Sequence, residues 1–147
     1  MKKRESISSA KKKAWVVFSK YIRLRDCLAS TGTLTHGKCC SCRKVEPIQK
    51  LHAGHFLPGR RANNLFDTRG CHAQCISCNT YQQGNWPGYF AYMERLYGRE
   101  TINELIKQDR VLHHWTVGEI LEIRDKYKQK VKAIIEKQEA HHDRSPE

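Results

Sequence analysis

The sequence predicts an α+β protein in which a small metal-stapled core of two strands and a helix is flanked by N-terminal and C-terminal α-helices. Two observations carry this prediction. Two C-x2-C pairs, at residues 39–42 and 75–78, enclose a segment of short apolar runs and turn residues. On both sides of that segment, apolar residues recur at helical spacing instead.

The length of 147 residues predicts one folded domain with short extensions at its ends. The extensions are a basic, flexible N-terminus over residues 1–8 and a disordered tail over residues 139–147. The domain covers residues 9–138, and its parts are a helix over 9–29, the metal-stapled core over 36–85 and a helical C-terminal part over 86–138.

The first helix is predicted from its apolar residues. Trp15, Phe18 and Ile22 recur at helical spacing and form the face that we expect to pack on the core. Arg23 and the lysines at positions 11–13 fall on the opposite face, which we expect to contact solvent.

The helices after residue 86 are predicted from their start signals. Thr101-x-x-Glu104 and Thr116-x-x-Glu119 both match the capping box, which places helix starts near 101 and 116, and a further helix is expected within 87–97. The last helix carries an apolar stripe that suits packing within the chain or a contact between the subunits of a homodimer. The stripe consists of Ile120, Ile123, Tyr127, Val131 and Ile134.

The charge of the chain is strongly basic and unevenly placed. Lys and Arg total 27 against 15 Asp and Glu, and the excess lies in the first 85 residues. A basic field of this kind suits a polyphosphate partner, because neutralising phosphates releases condensed counterions. We therefore expect the protein to bind nucleic acid. The simpler alternative is that the charge belongs to a solvated tail that aids solubility.

The chain carries no signal for a membrane or for export. No apolar run approaches the ~20 residues of a membrane span, and the N-terminus leads into Ser and Lys rather than an apolar signal core. We expect a soluble protein that is not exported and has no membrane partner. Its cysteines should therefore be mostly reduced.

Cysteine spacing predicts a structural zinc ion. Two C-x2-C pairs offer four thiolates, which complete the tetrahedral sulfur shell that Zn²⁺ prefers. Cys40 is a competing ligand, and Cys71 could replace a member of the second pair. The expected ligands are Cys39, Cys42, Cys75 and Cys78.

The segment between the two pairs is too long for a plain zinc ribbon. It spans 32 residues between Cys42 and Cys75, against roughly 15–20 in a ribbon. We predict a strand near 48–56, a short strand or turn near 65–72, and a helix from Cys75 to about Gly84.

Residues of this segment suit phosphodiester hydrolysis. The reaction needs a base of near-neutral pKa to activate water and a divalent cation to neutralise charge on the phosphate and the departing 3′ oxygen. His55 suits the base, and Asn79 suits an oxygen ligand of catalytic Mg²⁺ or Mn²⁺. A zinc-stapled hairpin and helix that carry these two groups resemble the HNH, or ββα-metal, nucleases.

Five motifs follow one another along the chain, and they are Cys39-x-x-Cys42, Ala53-Gly54-His55-Phe56, Phe66-Asp67-x-Arg69, His72-Ala73-Gln74-Cys75-x-x-Cys78-Asn79 and Gly84-Asn85. Their order is similar to that in the NinG (Rap) family of lambdoid phage recombination proteins. The resemblance implies a structure-specific DNA endonuclease that acts on branched intermediates such as Holliday junctions and D-loops in the cytoplasm of the host bacterial cell. By position, it makes His55 the general base, Asn79 the final metal ligand and the four cysteines a zinc knuckle.

Two positions differ from the usual pattern of that family. His52 stands where an acidic metal ligand is usual, and Gly70 stands where an asparagine is usual. His52 can bind a metal through its imidazole, which suits Mn²⁺ or Zn²⁺ better than Mg²⁺, or can orient another ligand. We expect Asp67, the nearby carboxylate, to compensate.

Several further residues have a predicted role, and two alternative functions remain. We expect His72 to be a hydrogen-bonding brace and Trp86 to pack in the core rather than stack on an unpaired base. Two other functions stay open, which are a non-catalytic zinc-dependent DNA-binding protein of recombination and an HNH nuclease that reads base sequence. The expected phosphate clamps are Lys50, Arg60, Arg61 and Arg69.

Overall fold

A computed structural model describes residues 2–144 and confirms the α+β class. The helices are α1 (Ile7–Thr31), α2 (Ala62–Leu65), α3 (Trp86–Tyr97), α4 (Arg99–Asp109) and α5 (Val117–His142). The strands are β1 (His36–Lys38), β2 (Val45–Pro47), β3 (Leu51–His55) and β4 (Cys71–Cys75). They form two antiparallel pairs, β1 with β2 and β3 with β4.

Helix α1 is longer at both ends than the predicted 9–29. The hydroxyl of Ser6 accepts a hydrogen bond from the amide of Ser9 and caps the helix, so that the helix begins within the predicted flexible segment 1–8. At the other end, Gly32 adopts a φ of 72° and closes the helix. Met1 lies outside the described residues.

Helix α5 begins at the predicted capping box and continues past the predicted end. The Thr116 hydroxyl and the Glu119 carboxylate bond reciprocally to each other's backbone amides. The helix runs to His142 rather than 138, which takes in the start of the predicted tail 139–147. Residues 145–147 of that tail lie outside the described residues.

The apolar stripe of α5 packs on α1. Phe18 of α1 meets Tyr127 edge to face, with ring centroids 4.9 Å apart, and meets Phe66 at 5.5 Å. Ile120 is fully buried in the same cluster. No helix within residues 2–144 combines the length and apolar character that a membrane span requires.

The capping box predicted at Thr101 is wrong. Helix α4 begins at Arg99, directly after Gly98, whose φ of 86° and ψ of 166° separate α3 from α4. Only glycine adopts this conformation readily, so Gly98 rather than Thr101 decides where the helix begins.

The central strands differ from the predicted spans. Strand β3 is shorter than 48–56, because a 3₁₀ turn occupies Ile48–Lys50. The segment 65–72, predicted as a short strand or turn, contains the end of α2 at Leu65 and a 3₁₀ turn over Thr68–Gly70, which confirms the turn; the second strand follows at 71–75. Asp67 caps that turn by accepting a hydrogen bond from the amide of Arg69.

The predicted helix from Cys75 to Gly84 is a single π-helical turn, Ser77–Tyr81. It ends early because Gln83, Gly84 and Asn85 all adopt positive φ values, of 50°, 96° and 39°. Right-handed helices cannot continue through such residues. The loop 82–85 therefore connects the turn to α3.

A buried ionic network fixes α1 to β4. The Asp26 carboxylate accepts hydrogen bonds from the Arg25 guanidinium and from the amide of Ala73, both at 2.7 Å. His72 is almost fully buried, 3.3 Å from Asp26, and Tyr97 also contacts it. This confirms His72 as a hydrogen-bonding brace and explains how the first helix is held against the second sheet.

Replacing Asp26 with asparagine is expected to lower the free energy of unfolding by about 3 kcal/mol, because Arg25 loses its buried partner. Burial raises the pKa of Asp26, but His72 and Arg25 lower it by more, to about 2. The carboxylate therefore stabilises the folded protein above about pH 4, and this contribution is lost as the pH falls toward 2. Urea unfolding of both proteins at pH 7 and at lower pH measures the difference, which should narrow below pH 4.

Asp125→Asn is the matched control for that experiment. Asp125 pairs with Arg124 on an exposed part of α5, so its loss should change stability by less than about 0.5 kcal/mol. Equal stability of the Asp26 variant and the unmodified protein at pH 7 would contradict the role assigned to the network.

Candidate active site

Four cysteines form a cluster that can hold a zinc ion. Their sulfur atoms all lie within 4.8 Å of one another, and those of Cys42 and Cys75 are 3.8 Å apart. Zn–S bonds of about 2.3 Å in a tetrahedron require a sulfur–sulfur separation of about 3.8 Å. Cys39 and Cys42 come from the turn between β1 and β2, while Cys75 ends β4 and Cys78 lies in the π turn.

Hydrogen bonds to sulfur support this cluster. The amide of Cys78 donates to the sulfur of Cys75 at 3.4 Å, and the Asn85 side chain donates to the sulfur of Cys78 at 3.3 Å. The two alternative ligands lie elsewhere. Cys40 is buried beside Phe56 and Tyr89, and Cys71 is buried in the cluster around α1.

A groove of about 850 Å³ opens along β3. His52, His55 and Asn79 all line it, so the imidazoles and the amide predicted to cooperate face the same space. Helix α1 forms one wall, and the loop 82–85 with the start of α3 forms another.

Gly54 lets the second wall approach β3 closely. A Cβ atom at this position would collide with the amide oxygen of Gln74 and lie 3.1 Å from the amide oxygen of Asn79. The Gln74 side chain is fully buried, and its amide nitrogen donates to the carbonyl of Gly84 at 2.6 Å. Glycine is therefore required at position 54, where β3 contacts the side chains of Gln74 and Asn79.

His55 is held as a neutral imidazole. Its ring stacks on Trp15, with centroids 5.1 Å apart, and its Nε2 lies 3.1 Å from the carbonyl oxygen of Leu65. Burial lowers the pKa of His55, the Leu65 carbonyl opposes this shift, and the charge of Arg60 adds to it. The net pKa lies below the ordinary value of 6.5, so His55 is unprotonated at pH 7.

His52 and Asn79 form a pair across the groove. The Nδ1 atom of His52 and the amide nitrogen of Asn79 are 3.0 Å apart. This contact fixes the orientation of the His52 ring and leaves its second nitrogen, Nε2, for another ligand.

Two arginines give the groove a positive charge. The Arg60 guanidinium lies 4.4 Å above the Trp15 ring, and Arg23 of α1 also lines the groove. Among the lining residues that the structure describes, none is an aspartate or a glutamate. The groove therefore suits an anionic ligand.

Helix α1 contributes to this site in a way that its predicted faces do not show. Trp15, Ser19 and Arg23 all line the groove, and they are spaced by four residues, which places them on one helical face. The spacing by four residues indicates a shared face, whereas the apolar pattern predicts that Trp15 packs in the core and that Arg23 contacts solvent.

The other predicted phosphate clamps lie outside the groove. Lys50 lies near the cysteine cluster, and Arg61 is 3.5 Å from Asp109. Arg69 pairs with Asp67 at 2.9 Å and with Glu104 at 3.0 Å, so two carboxylates neutralise its guanidinium.

Asp67 does not take the place of the missing carboxylate. Two partners occupy it, since Arg69 pairs with it and Gln108 donates to it at 2.8 Å. It faces a separate pocket beside Trp115 and Tyr127. The expected compensation by Asp67 is therefore wrong. Gly70, the second unusual position, is buried, and its carbonyl accepts a hydrogen bond from the amide of Phe56.

Comparison with known proteins identifies the family. The family model described as Bacteriophage Lambda NinG protein matches residues 1–139. The chain belongs to the NinG family. Membership in NinG confirms the resemblance drawn from the cysteine and histidine motifs.

Three NinG relatives illustrate the similarity. The ninG proteins of Escherichia phage 933W, Salmonella phage P22 and Escherichia phage lambda are 36%, 34% and 33% identical over 97 residues. Each match covers 65% of this chain and 47% of the relative, so the chain spans about half the length of these NinG proteins. No solved structure matches the chain.

Proposed function

We propose that this NinG-family protein is a metal-dependent DNA endonuclease of phage recombination that cleaves branched DNA such as Holliday junctions and D-loops. One observation carries the proposal, which is that His52, His55 and Asn79 line a single groove together with Arg60. Phosphodiester hydrolysis needs a general base, ligands for a divalent metal ion and a positive charge that binds the phosphate. His55, the pair His52 and Asn79, and Arg60 would supply these in turn.

Arg60 and Arg23 would bind the DNA backbone. A guanidinium grips a phosphate through two parallel hydrogen bonds, and its charge persists at every relevant pH. Stacking on Trp15 supports Arg60 from one side, so its donors are oriented before DNA arrives. The absence of lining carboxylates among residues 2–144 removes competitors for these guanidinium groups.

His55 would act as the general base. A carbonyl oxygen only accepts hydrogen bonds, so Nε2 of His55 carries the proton that it donates to Leu65, and Nδ1 is the nitrogen that can accept one. Transfer of a proton from water to Nδ1 lets the water oxygen attack phosphorus. The bond from phosphorus to the 3′ oxygen then breaks, and the departing oxygen takes a proton from solvent water while His55 returns its proton to solvent. The products are a 5′ phosphate and a 3′ hydroxyl.

His52 and Asn79 would hold the catalytic cation. When bound, a divalent ion supplies positive charge against the phosphate and the departing 3′ oxygen. An imidazole and an amide fit Mn²⁺, whereas Mg²⁺ prefers carboxylate oxygens and water. The donor set of this groove therefore favours Mn²⁺ over Mg²⁺.

The zinc cluster would act as a structural support for this site. Cys78 is the residue before Asn79, and Asn85, which bonds to its sulfur, is the residue before α3. The positions of Asn79 and of the loop 82–85 thus depend on the cluster.

A cleavage assay tests the proposal. Zinc-loaded protein is incubated with a four-way junction, a D-loop and linear duplex of equal length, each with Mn²⁺, with Mg²⁺ and without added ion. We expect nicks in the branched substrates, faster with Mn²⁺, and intact linear duplex. Intact branched DNA under both ions would overturn the catalytic proposal.

A non-catalytic DNA-binding protein of recombination is the second candidate. The absence of an acidic residue among the described lining residues favours it, because the usual nuclease site holds its cation with a carboxylate. This candidate predicts strong binding to branched DNA that weakens with salt, together with unchanged substrate after long incubation.

Replacing His52 with aspartate is expected to shift the ion preference toward Mg²⁺. A carboxylate supplies the hard oxygen ligand that the imidazole cannot, so the ratio of the cleavage rate in Mg²⁺ to that in Mn²⁺ should rise about tenfold or more. Initial rates over a range of both ion concentrations measure the change. His36→Asp is the control, because His36 is exposed on strand β1, and it should leave the ratio unaltered. An unaltered ratio in the His52 variant would exclude His52 as a metal ligand.

A further inference from the structure

Trp86 is a large aromatic side chain of the groove that the proposed hydrolysis does not use. Its indole is 48% exposed and forms part of the groove lining, so the expected packing of Trp86 in the core is wrong. Phe56 stacks against it with centroids 5.8 Å apart and planes at 20°, and Phe90 lies 4.9 Å away. The ring is thus supported on one side and open on the groove side.

The loop before Trp86 holds it in an unusual position. Gln83 and Asn85 both carry side chains at positive φ, a conformation that such residues adopt rarely. Buried Gln74 binds the carbonyl of Gly84, and Asn85 binds the sulfur of Cys78, so two contacts keep this loop in place. The loop thus has an energetically unfavourable backbone conformation that two hydrogen bonds stabilise, and it places Trp86 at the edge of the groove.

Trp15, the tryptophan of the opposite wall, is already engaged. His55 stacks on its ring and the Arg60 guanidinium lies 4.4 Å above it. Its ring therefore supports two groups of the proposed hydrolytic site, while the ring of Trp86 remains available.

We infer that Trp86 is a stacking site for one unpaired DNA base beside the phosphate bound by Arg60 and Arg23. This rests on the proposed function in that the groove receives DNA. The groove exceeds what a phosphate alone requires, and an exposed indole stacks on any base because every base has an aromatic face. In a duplex both faces of each base are covered by neighbours, so Trp86 selects DNA in which a base has left the stack.

A binding experiment with an abasic nucleotide tests this inference. The zinc-loaded chain of 147 residues is titrated, without added Mn²⁺ or Mg²⁺, into a forked duplex with one single-stranded arm. The first unpaired nucleotide is either normal or abasic. We expect the abasic fork to bind about 5- to 150-fold more weakly, the range that corresponds to loss of one base–aromatic stack.

Variants of Trp86 complete the test. Trp86→Ala should weaken binding of the normal fork by a similar factor and remove the difference between the two forks. Trp86→Phe should keep most of that difference, because phenylalanine still stacks. Tyr81→Ala is the matched control, since Tyr81 is 81% exposed on the neighbouring π turn but is not among the described lining residues.

Two readouts separate stacking from a loss of fold or of phosphate contacts. Zinc content and thermal unfolding should match those of the unmodified protein in the phenylalanine variant. The slope of affinity against salt should be unchanged in Trp86→Ala but should fall by about one in Arg60→Gln, which removes a phosphate contact. The inference would be overturned if affinity fell from the normal to the abasic fork by the same factor in Trp86→Ala as in the unmodified protein, even if branched DNA is cleaved.

The converse result is equally distinct. Protein that binds the normal fork through Trp86 but leaves all branched DNA uncut would support the stacking site and overturn the proposed hydrolysis.

Discussion

Replacing His55 with alanine is expected to lower the rate of branched-DNA cleavage about 10²- to 10⁴-fold, the usual contribution of a general base. DNA affinity should be unchanged, because His55 is neutral and contributes no charge to phosphate binding. Single-turnover cleavage at saturating protein measures the rate, and binding without added cation measures affinity.

The pH dependence gives a second readout for the same residue. Burial and the charge of Arg60 lower the pKa of His55, so the rate should fall with decreasing pH only below the ordinary histidine pKa of 6.5. Arg60→Gln removes the charge that disfavours the imidazolium, so in that variant the midpoint of the decline should move to higher pH.

His114→Ala is the control variant for His55. His114 is exposed in the segment between α4 and α5 and should leave cleavage unaffected. A His55 variant that cleaves at the unmodified rate, or one that fails to bind DNA, would contradict the role of general base.

The residues that the sequence predicted best are those whose chemistry fixes their spacing. A zinc site built from cysteines alone needs four thiolates at tetrahedral distances, and two C-x2-C pairs can meet this requirement in few ways, so the sequence predicts Cys39 and Cys75 together with their partners. The start of α5 was equally clear, because the reciprocal bonds between Thr116 and Glu119 are local to one helical turn. His55 and Asn79 were brought to one groove as expected.

Features that depend on distant partners were missed. The sequence predicts that Arg69 binds phosphate, but the structure pairs it with Glu104, which is 35 residues away in the chain. Trp15 reads as a core residue until the packing of α1 brings it under His55. Neither contact follows from local spacing, because tertiary packing alone decides which side chains meet.

The second strand shows the same limit at short range. Residues 65–72 suit either a short strand or a turn by sequence, but Asn64 donates to the carbonyl of Leu105, and Asp67 caps the turn that follows. Side-chain hydrogen bonds thus compete with strand pairing over this segment and delay β4 to Cys71.

Removal of zinc is expected to unfold the segment between the cysteine pairs and to abolish both cleavage and the groove. Structural zinc sites contribute about 10–16 kcal/mol in zinc-finger peptides, whereas the net stability of a whole domain is about 5–15 kcal/mol. Cys78→Ser removes one thiolate and also the sulfur that Asn85 binds, so the loop leading to Trp86 loses its anchor. Circular dichroism, zinc content and cleavage should all fall together in this variant.

Cys27→Ala provides the matched control, because Cys27 is a buried thiol outside the four-sulfur cluster. It should retain one zinc ion per chain and lose only the packing of a small side chain. Treatment of the unmodified protein with a chelator should reproduce the Cys78 variant, and added zinc should restore the fold. Full cleavage by zinc-free protein would show that the groove stands without the cluster, and the link between Cys78 and the position of Asn79 would then have to be abandoned.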